Sequence, residues 1–277
     1  MTVPVSIIIP CFNQGHYLRE ALQSIEQCGD KNLYEIIIVN DGSTENATIN
    51  ILEEYKRKGY TVIDQPNKGL GAARNAGIKI AGGKYIIPLD SDNKIRPEML
   101  HEGIKLLDAS PDIDVVYGDA EYFGEKTGLW KNGEFNLQRM MIENYIDACA
   151  MFRKSTWEKV NGYDEKMPAM GCEDWDLWLR IAFDGGKFRY VNKILFDYRY
   201  SSFSMIRIIQ QEKLIALLEY MENKHKGYLN RAYLNSLILL ITYKRKKLAF
   251  YIFLSSFFPG LCTLLRKAGF FKKMDVL

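Results

Sequence analysis

The most constraining feature of this sequence is the alternation of strand and helix patterns along residues 5–92. Val5 to Ile9 is an apolar, largely β-branched run, which is typical of a strand buried on both faces of a parallel sheet. Apolar residues then recur at helical spacing from Tyr17 to Ile25. The later segments are, in chain order, a strand in YEIIIVNDGST, a helix over residues 46–57, a strand in YTVIDQ, a helix in NKGLGAARNAGIKIA and a strand in KYIIPLDSD. This order predicts an α/β fold with a parallel sheet that carries helices on its faces.

Polar residues follow three of the predicted strands, at residues 10–13, 40–43 and 90–92. Ligands of parallel sheets bind beyond the carboxyl ends of the strands, so we expect the three clusters to converge on one edge. Asp90 and Asp92 lie one residue apart and directly after an apolar strand. Burial of neighbouring carboxylates is costly unless they are paired, so this pair predicts either an open cleft or a cation between the acids.

The second half of the chain follows a different pattern. DVVYGDAEYF, DACAMFRKSTW and KFRYVN predict strands, and a helix begins at Glu173 after a loop rich in Gly, Met and Pro. From about residue 206 the chain reads as helical and basic. We therefore expect two regions, an α/β domain over residues 1–205 and a helical appendage over residues 206–277.

Composition excludes several classes of protein. The formal charge of +3 is too small to indicate a nucleic-acid partner. Five scattered cysteines without a CxxC pair support neither a zinc site nor a disulfide framework, which favours a reducing, cytosolic setting. The start, MTVPVSIIIPCFN, lacks the basic region and the long apolar region of a signal peptide, so we do not interpret it as one. Its pattern is that of a strand.

An uncharged span, Leu248 to Leu265, is flanked by Lys and Arg on both sides and interrupted by Pro259-Gly260. It is marginal in length for a spanning helix. We interpret it as an interfacial segment on an anionic membrane surface. The alternative is a pair of helices that packs on the α/β domain.

Five segments together resemble family 2 inverting glycosyltransferases with a GT-A fold. They cover roughly residues 3–200, in the family's order, and are VSIIIPCFNQGHYLREALQSI, IIIVNDGST, NKGLGAARNAGI, YIIPLDSDN and GCEDWDLWLR. The resemblance implies that residues 1–205 form a GT-A catalytic domain, with a mostly parallel sheet flanked by helices. It also implies a nucleotide-diphosphate sugar as donor, with a UDP-sugar favoured.

The resemblance implies a metal ion, Mn²⁺ or Mg²⁺, at the acidic pair that follows the fourth strand. Such hard cations prefer carboxylate oxygens and bind through one or two of them together with phosphate. Asp92 is the expected direct ligand, while Asp90 meets the ribose or a metal-bound water. The alternative is a solvated acidic turn.

The resemblance places the nucleotide base at the ends of the first two strands. Asp41 would accept the N3–H of uracil, although an Asp-Gly turn alone explains this residue equally well. Pro10, Phe12 and Asn13 match the family's first loop, which contacts the base. Phe12 stands where Tyr is common, so stacking is retained and the hydroxyl is lost; packing in the core is the competing interpretation.

The glycine-rich turn before the third helix contributes three further donor-site candidates. Gly69 permits close approach of the backbone to a ligand, and Arg74 can pair with phosphate or with the acidic cluster. Lys68 is either a similar contact or an exposed loop lysine.

The segment EDWD matches the family's Glu-Asp motif, which places the general base at Asp174 with Glu173 in support. An inverting transfer needs one base that takes the proton of the acceptor hydroxyl. A position in the first helical turn favours an ionised carboxylate. The alternative is that these acids only complement the helix dipole.

The sequence departs from the family at two positions. Asn93 stands where a third acid is frequent, and DYRYSSFSM lacks the histidine that often contacts metal or diphosphate. Tyr198, Arg199 or a serine can take that place. The completeness of the metal shell is therefore open.

These features predict a metal-dependent transfer of sugar to a glycan or lipid-linked acceptor in surface polysaccharide biosynthesis, on the cytoplasmic face of the cell membrane. One rival is a dinucleotide-binding oxidoreductase, since GLGAAR begins like GxGxxG; however, Arg74 replaces the third glycine and the turn follows the third strand. The other rival is an inactive membrane-bound scaffold of the same fold.

Overall fold

The computed structural model describes residues 3–141, 143–202, 211–226, 260–261 and 264–265. The chain divides into two compact units. The larger unit comprises Met1–Met140, Asn144–Lys166 and Met170–Ile208, and the smaller comprises Met141–Glu143, Met167–Ala169 and Ile209–Leu277.

The first part of the larger unit is a parallel sheet with helices between its strands. The strands are β1 (Val5–Cys11), β2 (Tyr34–Asp41), β3 (Thr61–Gln65) and β4 (Tyr85–Pro88). The helices are α1 (Gly15–Glu26), α2 (Asn46–Arg57) and α3 (Leu70–Ile80). A 3₁₀ turn, Lys31–Leu33, precedes β2. The four strands and three helices lie where the sequence predicts them, whereas the 3₁₀ turn was not predicted.

Strand β1 is the centre of this sheet because both of its neighbours are parallel strands. Ile7 lies opposite Ile36 of β2 and Ile87 of β4. All seven residues of β1 are buried, as expected for a strand covered on both faces. Helix α3 packs closely on the sheet at Gly77, where an added Cβ would come within 2.5 Å of Ile8 Cγ2.

The remainder of the larger unit extends the sheet with shorter and mixed pairings. Its strands are β5 (Lys94–Ile95), β6 (Val115–Gly124), β7 (Gly128–Trp130), β8 (Met151–Arg153) and β9 (Phe188–Tyr200). Its helices are α4 (Pro97–Ala109), α5 (Leu137–Met140), α6 (Lys154–Lys159) and α7 (Glu173–Phe183).

The strand order is β3-β2-β1-β4-β8-β6-β9-β5, with β7 paired to β6. The long ladders are parallel, including β6 with β9, whereas β8 is antiparallel to both β4 and β6 over two residues each. The predicted α/β class, a largely parallel sheet flanked by helices, is confirmed.

One predicted strand is wrong in extent. Of DACAMFRKSTW, only Met151–Arg153 is a strand, and residues 154–159 form α6. The Lys154 amide donates to the Lys84 carbonyl at the end of the ladder, and Thr156 Oγ1 then donates to Asp114 Oδ1 at 2.5 Å. These contacts turn the chain into a helix where residue pattern alone favours extension.

In the smaller unit the structure describes helix α8 (Gln211–Lys224), which buries Leu217, Leu218 and Met221. The predicted boundary at residues 205 and 206 lies outside the described residues, as does nearly all of the predicted membrane segment 248–265. Within the described ranges, none of the helices has the length and apolar character needed to cross a membrane.

Candidate active site

The loop after β1 is tied to the loop after β2, which brings the first two polar clusters together. Asn13 adopts a left-handed conformation with φ of 54°. Its Oδ1 accepts hydrogen bonds from the amides of Thr44 and Glu45, and its Nδ2 donates to Thr44 Oγ1. Asn13 therefore shapes the approach to α2 and presents no unused amide group. Pro10 is buried within β1.

Phe12 is 43 % exposed at the same strand end, so its interpretation as a core residue is wrong. A large apolar ring that stays in solvent is available to stack on a flat ligand. Of the three residues predicted in this loop, Phe12 is the one whose side chain faces outward.

Asp41, at the end of β2, holds the N-terminal turn of α3. Its Oδ1 accepts hydrogen bonds from Gln65 Nε2 at 2.7 Å and from the Lys68 amide at 2.9 Å. Its Oδ2 accepts one from the Gly69 amide at 2.9 Å. Because a carboxylate offers about four acceptor positions, one of them remains for a ligand.

Gly69 and Lys68 take part in this turn in different ways. Gly69 has φ of 89°, and a Cβ there would lie 3.3 Å from Met170 Sδ. The backbone conformation therefore favours glycine. The Lys68 side chain is exposed, whereas its amide is used by Asp41.

The acidic pair after β4 lies in a tight turn that is joined to the first loop. The Asn93 amide donates to the Asp90 carbonyl at 2.9 Å, and Ser91 Oγ donates to Gln14 Oε1 at 2.7 Å. Asp90 and Asp92 are both partly buried, and Ser91 is 1 % exposed. The three strand-end clusters thus converge on one edge, as the sequence predicts.

Arg74 is a buried cation between Asp90 and Glu173, and it does not pair with Asp92. It is 1 % exposed, and its Nη2 donates to Asp90 Oδ1 while its Nη1 donates to Glu173 Oε1, both at 2.6 Å. Of the two predicted partners of Arg74, phosphate or the acidic cluster, the structure contains the second. A guanidinium remains charged and its fork holds two carboxylates at a fixed separation, so Arg74 links the end of β4 to the start of α7.

Glu173 and Asp174 occupy the first turn of α7, which begins at Glu173 as the sequence predicts. Glu173 Oε2 accepts a hydrogen bond from the Gly171 amide, so both of its oxygens are used. Asp174 Oδ1 accepts hydrogen bonds from Asn144 Nδ2 at 3.0 Å and from the Trp175 amide at 2.8 Å. Among the residues that the structure describes, no side chain or amide bonds to Asp174 Oδ2.

The environment of Asp174 raises its proton affinity. Burial and the neighbouring Glu173 carboxylate raise the pKa of Asp174 to about 7, while Arg74 and the two hydrogen bonds act in the lowering direction. A carboxyl group with a pKa near neutrality can accept a proton and later release it at physiological pH.

Asp92 lies against Arg199, which belongs to the stretch that lacks the family's histidine. Arg199 Nε donates to the Asp92 carbonyl, its amide donates to Asn93 Oδ1, and its Nη2 donates to Glu20 Oε2. Burial and the Asp90 carboxylate raise the pKa of Asp92 to about 6, and the Arg199 charge opposes that shift. Arg199 is therefore the cationic neighbour of the acidic pair.

Asp147 is a further carboxyl group of this region, and sequence reasoning missed it. Its Oδ1 accepts a hydrogen bond from the Cys149 amide at 2.9 Å. Burial and the charges of Asp90 and Asp174 raise the pKa of Asp147 well above its usual range. The available signal was an acid at the start of an apolar run, DACAMF, where a buried strand needs none.

Asp90 and Asp92 suit a divalent cation that is shared with a ligand. Within the described ranges, no group of three or more His, Cys, Asp and Glu side chains could enclose a metal ion. Mn²⁺ and Mg²⁺ need no such cage when substrate phosphates complete the coordination. The donor set at the end of β4 fits such a cation, with Asp92 as the carboxylate that makes no salt bridge to Arg74.

Comparison with solved structures shows the fold. The structure of S. aureus TarS residues 1–349 in complex with UDP-GlcNAc is similar with a TM-score of 0.68 and 19 % identity, covering 99 % of this chain and 77 % of that TarS fragment. The mannosyltransferase PcManGT from Pyrobaculum calidifontis, in complex with GDP-Man and Mn²⁺, is similar with a TM-score of 0.62 and 15 % identity, covering 98 % and 81 %. Both are GT-A glycosyltransferases, so the predicted GT-A fold is confirmed.

Comparison of sequences gives the family. An uncharacterized glycosyltransferase of Methanocaldococcus jannaschii is 28 % identical, covering 83 % of each chain, and the putative glycosyltransferase EpsH of Bacillus subtilis is 31 % identical, covering 76 % of this chain and 65 % of EpsH. Chondroitin synthase of Pasteurella multocida is 29 % identical over 20 % of its length. Residues 136–207 match the N-terminal domain of galactosyltransferase, and residues 6–167, more than half of the chain, match glycosyl transferase family 2. The chain belongs to glycosyl transferase family 2.

Proposed function

We propose that this glycosyltransferase moves a sugar from a nucleotide-diphosphate donor to a hydroxyl group of its acceptor, with inversion at the anomeric carbon and with Mn²⁺ or Mg²⁺ bound. The observation that carries the proposal is the Arg74 bridge, which joins Asp90 at the donor edge of the sheet to the α7 turn that contains Asp174. It brings a phosphate-side acid and a candidate base into one site.

The donor side consists of the strand ends. Phe12 supplies an exposed ring for the base, and Asp41 keeps one acceptor position for a base N–H beside the Lys68–Gly69 turn. The nucleotide sugars in the TarS and PcManGT complexes support a donor of this class. We favour a UDP-sugar, since Asp41 offers an acceptor and uracil offers a single N3–H donor.

Asp92 and Asp90 are the residues that would hold the metal ion. When bound, Mn²⁺ or Mg²⁺ offsets the negative charge that develops on the leaving diphosphate. The Mn²⁺ in the PcManGT complex supports this assignment. Arg199, beside Asp92, contributes a fixed positive charge where the family's histidine is absent.

Asp174 is the proposed base of a single displacement. The oxygen of the acceptor hydroxyl forms a bond to the anomeric carbon, the bond between that carbon and the diphosphate oxygen breaks, and its electron pair stays on the diphosphate. The hydroxyl proton moves to Asp174, whose free oxygen is Oδ2. Attack opposite to the leaving group inverts the anomeric carbon. Glu173, fixed by Arg74, supports the base by raising its pKa.

The acceptor that we propose is a glycan or a lipid-linked sugar of surface polysaccharide biosynthesis. The Pasteurella multocida relative named chondroitin synthase favours a saccharide acceptor. A cytoplasmic position on the inner face of the cell membrane is supported by the uncharged segment 248–265 and the Lys and Arg residues on both sides of it. This segment lies in the proposed appendage 206–277 rather than in the proposed catalytic domain 1–205.

A donor screen with and without Mn²⁺ tests this function. The purified chain is incubated with UDP-, GDP- and dTDP-sugars and a panel of saccharide acceptors, and nucleotide diphosphate release and the anomeric configuration of the product are measured by NMR. We expect turnover with one UDP-sugar, a product inverted at the anomeric carbon, and loss of turnover in EDTA. If no nucleotide diphosphate is released with or without Mn²⁺ although the chain still binds UDP, the result would favour the inactive scaffold.

The Asp92→Ala variant tests the metal assignment separately. We expect it to bind UDP with the same affinity in Mn²⁺ as in EDTA, whereas the native chain binds more tightly in Mn²⁺. Asp112→Ala is the matched control, because Asp112 is an exposed aspartate paired with Lys187. Equal Mn²⁺ dependence in Asp92→Ala and the control contradicts the role of Asp92.

A further inference from the structure

The segment between α5 and β8 carries a side chain that bonds directly to the candidate base. Asn144 Nδ2 donates to Asp174 Oδ1, the same oxygen that accepts from the Trp175 amide. Two donors on one oxygen define the plane of the carboxylate. The other oxygen, Oδ2, remains without a hydrogen bond among the described residues.

This segment is held against α7 by two buried indoles. Trp175 Nε1 donates to the Met140 carbonyl at 2.5 Å, and Trp178 Nε1 donates to the Ile146 carbonyl at 3.0 Å. Trp175 and Trp178 are 5 % and 0 % exposed, so both anchors lie in the core. Asn144 therefore reaches Asp174 from a backbone that is fixed before and after it.

The second polar atom of Asn144 has no protein partner. Asn144 Oδ1 is buried and accepts no hydrogen bond from the described residues. A buried acceptor without a donor is unfavourable, and a hydroxyl group that reached it would satisfy it. The amide thus donates to the candidate base at one end, and its other end is a buried acceptor with no partner among the described residues.

We propose that Asn144 is a positioning residue that fixes the Asp174 carboxylate so that Oδ2 takes the proton of the attacking hydroxyl. This inference rests on the proposed function, which makes Asp174 the base. Asn144 selects the reactive oxygen by occupying the other one. An acceptor hydroxyl that donates to Asn144 Oδ1 would be held beside that reactive oxygen.

Several other charged and titratable groups face Asp174 and also influence its pKa, so a pH-dependent test must take them into account. They are Glu173 on the same turn, Arg74 from α3, Asp147 from the segment before β8, and Tyr163 and Cys172 from the segment that precedes α7. Glu173 raises the pKa of Asp174, while Arg74 and the Asn144 hydrogen bond lower it. Loss of that hydrogen bond alone therefore raises the pKa of Asp174.

The test is the pH profile of turnover in Asn144→Ala. We expect the acid limb to move upward by about one pH unit, because the carboxylate loses a hydrogen bond that favours its charged form. At pH 7 turnover falls about fivefold, the loss shrinks at pH 9, and the KM of the donor is unchanged. Asn32→Ala is the matched control, because Asn32 Nδ2 also donates to an aspartate, Asp30, but on the exposed surface.

Asn144→Asp keeps the size of the side chain, so its pH profile of turnover can be measured if the alanine variant does not fold. A carboxylate at this position should move the acid limb further upward, because like charges raise each other's pKa. Melting temperature and UDP affinity establish that each variant is folded. An acid limb that stays in place in the folded variants, with a uniform loss or with no loss, overturns the positioning role.

Asp174→Asn, measured alongside, separates this inference from the function on which it rests. If Asp174→Asn turns over at the native rate, Asp174 is not the base, and the proposed role of Asn144 fails as well. If Asp174→Asn is inactive and the acid limb does not move in the Asn144 variants, Asp174 remains the base. Only the positioning role of Asn144 is then rejected.

Discussion

Asp41 and Asp174 are both buried aspartates near the N-terminus of a helix, yet their hydrogen bonds differ. Asp41 uses both oxygens, which accept from Gln65 and from two amides at the start of α3. Among the described residues, Asp174 accepts hydrogen bonds only through Oδ1, and a second acid, Glu173, precedes it. The first aspartate organises backbone, whereas the second has an open oxygen and a raised pKa. Burial alone therefore does not mark a reactive carboxylate; the number of its donors and the sign of its neighbours do.

Asp→Asn substitution at positions 174 and 41 should give the clearest test of the difference between the two aspartates. Asp174→Asn removes the proposed base and should lower turnover by a factor of about 10²–10⁴, because general base catalysis contributes that much. Donor affinity should stay close to that of the native chain. Turnover and UDP affinity of both variants are the measurements.

Asp41→Asn should show the opposite division of effects. The substituted amide places a donor against the Lys68–Gly69 amides, so UDP affinity should fall more than turnover at saturating donor. If both variants lose turnover alone, the contrast between an organising and a reactive aspartate is wrong.

Arg74→Met tests whether Arg74 links Asp90, at the end of β4, to Glu173, the acid that precedes Asp174. Asp90 and Glu173 would lose a shared cation of 1 % exposure, and removal of one partner of a buried pair costs about 3–5 kcal/mol. Urea unfolding measures this loss in free energy of unfolding. Arg57→Met is the control, since Arg57 is exposed on α2 and should change stability by less than about 0.5 kcal/mol. Equal stability of the two variants would mean that Arg74 does not hold the acids together.

The order of elements and the location of the site could be predicted because both are local properties of the sequence. Residues 46–57 form α2 as predicted, and α7 begins at Glu173, since the periodicity of apolar residues acts within a few residues. The partner of Arg74 could not be chosen, because Glu173 lies 99 residues away and phosphate is an equal chemical match. Asn144 was missed for the same reason: nothing near it in the chain indicates that it meets Asp174.

Segment 147–157 shows a second limit of sequence reasoning. Its β-type composition predicted one strand, but tertiary contacts of Thr156 and Lys154 make a helix after Arg153. Asp147 was overlooked within that strand assignment, although an acid at the start of a buried run is a sign of a polar site.

Asp41 should matter more for stability than its exposed neighbours. Asp41→Ala leaves the Lys68 and Gly69 amides and Gln65 without their acceptor, and each unmatched buried donor costs about 1–3 kcal/mol, less where water reaches it. Thermal unfolding measures the loss. Asp64→Ala provides the comparison, because Asp64 is a half-exposed acid of the adjacent strand β3, bonded to Lys56 and Asn40. A smaller loss in Asp41→Ala than in Asp64→Ala contradicts the organising role.

The pH dependence of stability tests the raised pKa of Asp174. The pKa of Asp174 is about 7 in the folded chain and about 3.9 when the chain is unfolded, so the folded state binds more protons between these values. The stability contribution of Asp174 is therefore fully present below about pH 4 and is lost as pH rises through 7. Asp92, whose pKa is raised to about 6, acts in the same direction. We expect Asp174→Asn to melt at the same temperature as the native chain at pH 4.5 and above it at pH 8, because the amide removes only the Asp174 contribution. A constant difference in melting temperature across this range would show that the pKa of Asp174 is not raised in the folded chain.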